Sequence, residues 1–158
     1  MEKWSRINYQ PNLPLGADGQ RLTAGAEHIA VSKAAALEGM VLLKNDGTLP
    51  LRRGAKVALF GKGTFDYVKG GGGSGDVHVP YIRNLSQGMA LYPELVTVFP
   101  ETDAYYSKYV RHQYGAGREP GLLDEPELPD ELLARAAAFA DTAVISISRY
   151  SGEGWDRK

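Results

Sequence analysis

The chain has 158 residues, of which 43% are hydrophobic, so it is long enough and apolar enough to form one domain with a buried core. Its formal net charge of -1 gives no electrostatic basis for binding nucleic acid or an anionic membrane. The sequence contains no cysteine, which excludes disulfides, thiolate nucleophiles and zinc–thiolate sites.

The beginning of the chain shows no targeting segment. Residues Met1–Arg6 are polar and lead into no apolar run of the kind that signal peptides contain. The longest apolar stretches are too short to cross a bilayer. We therefore expect a soluble, cytoplasmic protein with no membrane partner. Residues 1–23 are rich in proline and glycine and have no sustained period, which predicts an extended arm before a domain at residues 24–158.

From residue 24 onward the pattern alternates between helix and strand. An alanine-rich stretch with apolar residues at helical spacing predicts a first helix that ends near Gly39, and a short apolar strand or extended segment follows it at residues 40–45. Further helices are predicted at 84–92, at 102–113 and from Pro129 to Ala140, and strands at 56–61, 96–99 and 142–148. Residues 118–129 are rich in proline and acidic residues, which predicts a solvent-facing connection.

This alternation predicts an α/β fold, a three-layer α/β/α sandwich with a mostly parallel sheet. Parallel connections place the loops after the strands at 56–61 and 142–148 at the same edge of the sheet. The first loop contains the glycine-rich segment Gly70–Gly75, and the second contains Ser151–Arg157. Ligands of such sheets bind outside the carboxyl ends of the strands.

The terminal loop contains the main candidate for chemistry, Glu153. Gly152 and Gly154 allow backbone conformations that a side chain forbids, which lets the carboxylate be directed away from the sheet. Asp156 and Arg157 most simply form an ion pair that, with the two glycines, shapes the loop. The alternative is an ordinary solvated glutamate on a flexible surface loop.

Four further residues are candidates for binding a substrate. Trp155 lies next to Glu153, where an indole ring either stacks on a sugar or anchors the loop. Asp66, Tyr67 and Ser74 lie in the long loop that follows the first central strand.

The sequence supports a metal site or a nucleotide site less well than it supports a site around Glu153. The segment Gly70–Gly75 fits G-x-G-x-x-G by spacing but does not lie directly between a strand and a helix, and after Gly61 and Gly63 the third position holds Asp66. The histidines have no metal-ligand spacing with one another. We expect no metal and no cofactor, and a nucleotide-binding protein is the third hypothesis.

Taken together, these motifs resemble glycoside hydrolase family 3, the β-glucosidase and β-xylosidase family. The matching stretches are Ala35–Gly47 with Leu49–Leu51, Val57–Gly61, Gly70–Gly75 and Ser151–Arg157. They follow the family's order and extend from about residue 24 to the end. The first and last stretches are specific when they occur together.

The resemblance implies a function. Family members combine a (β/α)8 barrel, which carries an aspartate nucleophile, with an α/β sandwich domain that supplies an acid/base glutamate, and Glu153 matches that glutamate. The chain then resembles the acid/base-bearing domain of a retaining β-glycosidase that hydrolyses terminal β-linked sugars. Its substrate is a β-glucoside or a related oligosaccharide.

The 158 residues contain no barrel and stop before the further strands of the family's sandwich domain. The resemblance therefore implies the N-terminal portion of a member in which the sandwich domain precedes the barrel. The barrel and the rest of the sandwich are expected in the same parent protein or in a second chain, and the isolated chain is expected to be inactive. The competing hypothesis is a non-catalytic module that binds carbohydrate or protein.

Overall fold

A computed structural model of the chain describes residues 17–20, 24–68, 81–118, 121–149 and 151–152. The chain divides into two compact units, Met1–Gly47 and Thr48–Lys158. Most of the predicted arm at residues 1–23 lies outside the described residues, so that domain boundary stays a prediction. Within the described ranges, no helix is both long enough and apolar enough to cross a membrane.

The first unit contains one described helix, α1 (Ala26–Glu38). It ends where the sequence predicts, because Gly39 follows it as the C-cap and donates its N–H to the Ala35 carbonyl at 2.9 Å. None of the residues of α1 is buried. The apolar segment at 40–45 forms no described strand.

The second unit is organised around a three-stranded parallel sheet. Strand β1 (Ala55–Phe60) lies in the centre, between β2 (Val96–Val98) and β3 (Thr142–Ile145). Val57 and Leu59 have no exposed surface, as expected for an apolar strand that is covered on both faces.

Local signals explain where the helices of this unit begin. A 3-10 turn (Lys62–Thr64) follows β1, and the short helix α2 (Leu85–Met89) follows Asn84. Asn84 and Gln87 form a capping box, in which each side chain accepts a hydrogen bond from the other residue's backbone N–H. Helix α3 (Pro100–Gly115) starts with proline, whose missing N–H costs nothing at that position.

Helices cover both faces of the sheet. On one face, Ala58 of β1 packs with Leu132 and Ala136 of helix α4 (Asp130–Phe139) and with Phe99. On the other face, Val57 and Leu59 pack against residues that include Leu85 and Met89 of α2. The predicted three-layer α/β/α arrangement with a parallel sheet is therefore confirmed.

One prediction about the connections is wrong and another is incomplete. The helix predicted over 84–92 ends at Met89, since the following residues form turns before β2. The described part of the connection at 118–129 is largely exposed, as predicted, but it also contributes Leu123, which is 2% exposed, to the core. The buried side chain of Gln113 holds this segment through both backbone groups of Asp124, at 2.8 and 3.1 Å.

Candidate active site

A cleft opens at the carboxyl ends of β1 and β3. The chain passes from β1 to β2 on one side and then to β3 on the other, so β1 and β3 flank a topological switch point, where ligands of open α/β sheets bind. The cleft has a volume of about 320 Å³. The residues that give it its chemical character are Asp66, Tyr67, Ser146, Ser148 and Arg149. We call it the β1–β3 cleft.

Two glycines let the walls of the cleft approach each other. Gly61 has φ of 88°, and a Cβ placed on it would lie 2.1 Å from the carbonyl oxygen of Ser146. A Cβ on Gly63 would lie 2.9 Å from the Ser146 hydroxyl. The Ser146 N–H in turn donates to the Phe60 carbonyl at 2.9 Å. The glycines after β1 thus serve close backbone packing within the sheet.

The Asp66 carboxylate is held on the wall of the cleft by helix α3. Its Oδ1 accepts a hydrogen bond of 2.6 Å from the hydroxyl of Tyr114, and its backbone N–H donates to the Lys62 carbonyl at 2.7 Å. Burial, together with the hydrogen bond and the negative charge of Asp66, raises the pKa of Tyr114 above its ordinary value. The phenol therefore stays protonated in the neutral pH range and acts as the donor.

A second tyrosine of α3, Tyr106, contacts the turn after β1. The Tyr106 hydroxyl accepts the Gly61 N–H at 2.8 Å, and its ring stacks on Phe65 with the centroids 5.0 Å apart. Tyr106 is 2% exposed, and this burial raises the pKa of its hydroxyl. Tyr106 is therefore a core residue.

The backbone N–H of Lys62 is occupied by a carboxylate from the chain itself. Both oxygens of Glu125 accept from it, at 3.0 and 3.1 Å. In a nucleotide-binding turn, the amides that follow the first strand face phosphate oxygens. Here Glu125 takes that place, which argues against the nucleotide-binding hypothesis.

The structure brings together some of the residues predicted from the sequence. Asp66 and Tyr67 both line the cleft, and Gly152 is half-buried three residues beyond Arg149. The other predicted site residues lie outside the described part of the chain: Ser74, Glu153, Gly154, Trp155, Asp156 and Arg157. The described residues contain no group of His, Asp and Glu side chains that could hold a metal ion.

Sequence reasoning missed several residues of this site. Ser146, Ser148 and Arg149 line the cleft together with Ile147, in the segment that directly follows β3. Their place at the carboxyl end of a predicted strand was the available signal, since ligands of such sheets bind there. Tyr114 and Glu125 gave no signal, because each acts on a residue distant in sequence.

The family of the chain follows from comparison with known proteins. A model of the glycosyl hydrolase family 3 C-terminal domain matches residues 40–158. The chain belongs to glycoside hydrolase family 3. The family predicted from the motifs is therefore confirmed, and the residues that line the β1–β3 cleft lie within the stretch that matches the family's C-terminal domain.

Curated relatives are named as β-glucosidases. The chain is 61% identical over 159 residues to β-glucosidase A of Butyrivibrio fibrisolvens, a match that covers 100% of this chain and 19% of the relative. It is 38% identical over 125 residues to a β-glucosidase of Ruminococcus albus, covering 75% of this chain and 13% of the relative. The chain thus spans about a fifth or less of the length of these relatives.

The solved structures that match this chain are also named as β-glucosidases. β-Glucosidase 3B of Thermotoga neapolitana, determined in complex with α-D-glucose, matches with a TM-score of 0.69 and 36% identity over 84% of this chain and 19% of that one. A β-glucosidase of Paenibacillus barengoltzii matches with a TM-score of 0.71 and 34% identity over 82% of this chain and 15% of that one. The fold of the described residues is shared with part of a β-glucosidase.

Proposed function

We propose that the chain is the acid/base-bearing domain of a retaining β-glycosidase that hydrolyses terminal β-linked sugars, most simply β-glucosides. The observation that supports this most directly is the family match over 40–158, which includes Ser151–Arg157. That segment begins two residues beyond Arg149 of the β1–β3 cleft. The relatives named β-glucosidases support the choice of sugar.

In this proposal Glu153 acts twice. It first protonates the glycosidic oxygen of the leaving group, and after the glycosyl-enzyme has formed it removes a proton from the attacking water. Retention requires a second carboxylate about 5–5.5 Å away that attacks the anomeric carbon. We assign this nucleophile to an aspartate of a (β/α)8 barrel. The barrel and the remaining strands of the sandwich then lie in the same parent protein or in a second chain.

The remaining predicted residues have supporting roles in the proposal. Asp66 and Tyr67 of the cleft bind substrate hydroxyls and the ring face, together with Ser74 and Trp155. Gly152 and Gly154 give the loop its backbone freedom, and an Asp156–Arg157 ion pair fixes its shape. No metal and no cofactor take part, because two carboxyl groups are sufficient for this reaction.

The test is Glu153→Gln in the assembled enzyme. We expect cleavage of cellobiose, which has a poor leaving group, to slow by about 10²–10⁴-fold, the usual contribution of a general acid. Dinitrophenyl β-glucoside, whose leaving group needs no proton, should lose far less in the glycosylation step. Glu127→Gln is a matched control on an exposed glutamate of the same domain. Equal losses on both substrates, or none, would remove Glu153 from the acid role.

A carbohydrate-binding module is the second candidate, and the polar lining of the β1–β3 cleft favours it. The two hypotheses differ in what the neighbouring barrel contributes. If the assembled protein binds β-glucosides but never cleaves them, the module is correct. Turnover by the purified 158-residue chain alone would contradict the need for a separate nucleophile.

A further inference from the structure

Helix α3 fixes one carboxylate oxygen of Asp66 in the β1–β3 cleft and leaves the other oxygen available to a ligand. Tyr114 donates to Oδ1 of Asp66 at 2.6 Å, and the Asp66 backbone is itself tied to the Lys62 carbonyl at 2.7 Å. Within the part of the chain that the structure describes, Oδ2 is then the oxygen that remains for a ligand. A carboxylate held by a hydrogen bond, on a backbone that is itself held, loses less rotational freedom on binding than an unrestrained one.

We propose that Tyr114 is a positioning residue, which holds Asp66 so that its second oxygen accepts a hydrogen bond from a hydroxyl of a sugar ring in the cleft. This inference rests on the proposed substrate-binding role of Asp66. It adds a residue that touches no substrate and acts only through that carboxylate.

The lining of the cleft fits a neutral polyhydroxyl ligand. Ser146 and Ser148 each carry a hydroxyl that both donates and accepts, Arg149 supplies donors, and Asp66 is an acceptor. The ring of Tyr67 is 57% exposed and offers an apolar face to the C–H side of a pyranose. A volume of about 320 Å³ accommodates a monosaccharide unit.

An anionic ligand fits the same cleft less well. The charge of Asp66 opposes a phosphate, and the Lys62 amide at the turn already binds the Glu125 carboxylate. A hydroxyl group instead satisfies Asp66 without adding charge to the site. Asp66 balances the positive charge of Arg149 in the cleft, and a neutral sugar preserves this balance where a sugar phosphate does not.

The position of Tyr114 suits a role that depends on its hydroxyl. It lies at the last turn of α3 and is 37% exposed, so its ring contributes little to the core. Its raised pKa keeps the proton on the phenol, and the direction of the hydrogen bond is fixed from tyrosine to carboxylate. Tyr114→Phe removes this bond and leaves the ring in place.

The experiment measures sugar binding to the 158-residue chain by saturation-transfer NMR, with D-glucose and cellobiose as probes. Tyr114→Phe and Asp66→Asn should each weaken binding by about three- to ten-fold, the worth of one hydrogen bond. The double variant should bind no more weakly than Asp66→Asn alone, because Tyr114 acts through Asp66. In a titration with D-glucose 6-phosphate, the wild-type chain should bind this ligand more weakly than it binds D-glucose.

Tyr105→Phe is the matched control. Its hydroxyl lies on the same helix and donates to the Glu127 carbonyl at 2.7 Å, so its removal costs a comparable bond that does not involve Asp66. It should leave sugar binding unchanged, and both tyrosine variants should show similar melting temperatures.

Three results would overturn the proposal: no transfer to either sugar from the wild-type chain, an equal loss in Tyr105→Phe, or additive losses in the double variant. These measurements require no turnover. They therefore stand apart from the Glu153→Gln test, and either proposal can fail while the other holds.

Discussion

Gly61 occupies the most crowded backbone position described at the edge of the sheet. Its φ of 88° is costly for any residue with a side chain, and a Cβ would lie 2.1 Å from the Ser146 carbonyl oxygen. Gly61→Ala must therefore push β1 and the segment after β3 apart. We expect it to lower the free energy of unfolding by about 3–5 kcal/mol in urea titrations of the chain.

Gly54→Ala separates the two causes of this loss. Gly54 has a similar φ of 76°, but a Cβ there would meet nothing within 4 Å. It should cost only the conformational penalty, about 1–2 kcal/mol. If both substitutions destabilise the chain equally, the close approach of Ser146 contributes nothing.

The sequence does not reveal why position 61 requires glycine. An apolar strand followed by glycine predicts a buried strand and a tight exit, and both are present. The partner that demands glycine is a carbonyl in the last third of the chain, which no local pattern identifies. The same holds for Tyr114 and Asp66, whose contact depends on where α3 ends relative to the turn after β1.

At the scale of elements, the connection between α3 and α4 is bound both to α3 and to the turn after β1. Gln113 holds both backbone groups of Asp124, Glu125 holds the Lys62 amide, and Leu123 is buried. The segment therefore acts as a strap that keeps the turn after β1 in place. Its hydrogen bonds come from a buried side chain, which makes them expensive to lose.

Gln113→Leu tests this strap. The substitution keeps the side-chain volume but leaves the Asp124 N–H and carbonyl without their partner, and we expect a loss of about 1–3 kcal/mol in thermal or urea unfolding. Hydrogen exchange at the Lys62 amide should accelerate, because its Glu125 partner lies next to Asp124.

Arg118→Ala is the control, since it removes an exposed ion pair to the same residue, Asp124. The Arg118–Asp124 ion pair is exposed, with a length of 2.6 Å and side chains 53% and 62% accessible, so it should contribute less than about 1 kcal/mol. A larger loss for Arg118→Ala than for Gln113→Leu would contradict the strap.

Sequence periodicity predicted most elements of the second unit but did not identify the buried anchor of this connection. The three strands and the helices α3 and α4 carry local signals that agree with the tertiary structure: apolar runs, proline at a helix start, and acidic first turns. Residues 118–129 carry the composition of an exposed loop. Their anchoring by one leucine and by backbone groups is not a compositional property, so the pattern pointed to solvent.

At the scale of the molecule, the described sheet is completed on its faces but not along β3. Ile145 pairs with Phe60 and shares the face on which α4 packs, yet it is 71% exposed, and Ile147 beyond it is 80% exposed. Ile145 is the last residue of β3, an edge strand of the described sheet, and Ile147 lies two residues beyond it. A long apolar edge of this kind favours association between chains.

We therefore expect the 158-residue chain on its own to self-associate through β3, and Ile147→Lys to weaken that association. Burial of an isoleucine side chain is worth about 1.5–3 kcal/mol, which corresponds to a rise of about ten-fold or more in the dissociation constant. Sedimentation velocity over a concentration series measures this. Leu122→Lys is the control, because Leu122 is 47% exposed but lies in the connection between α3 and α4. If Leu122→Lys disperses the chain as effectively as Ile147→Lys, general surface apolarity drives the association and the β3 edge has no special part in it.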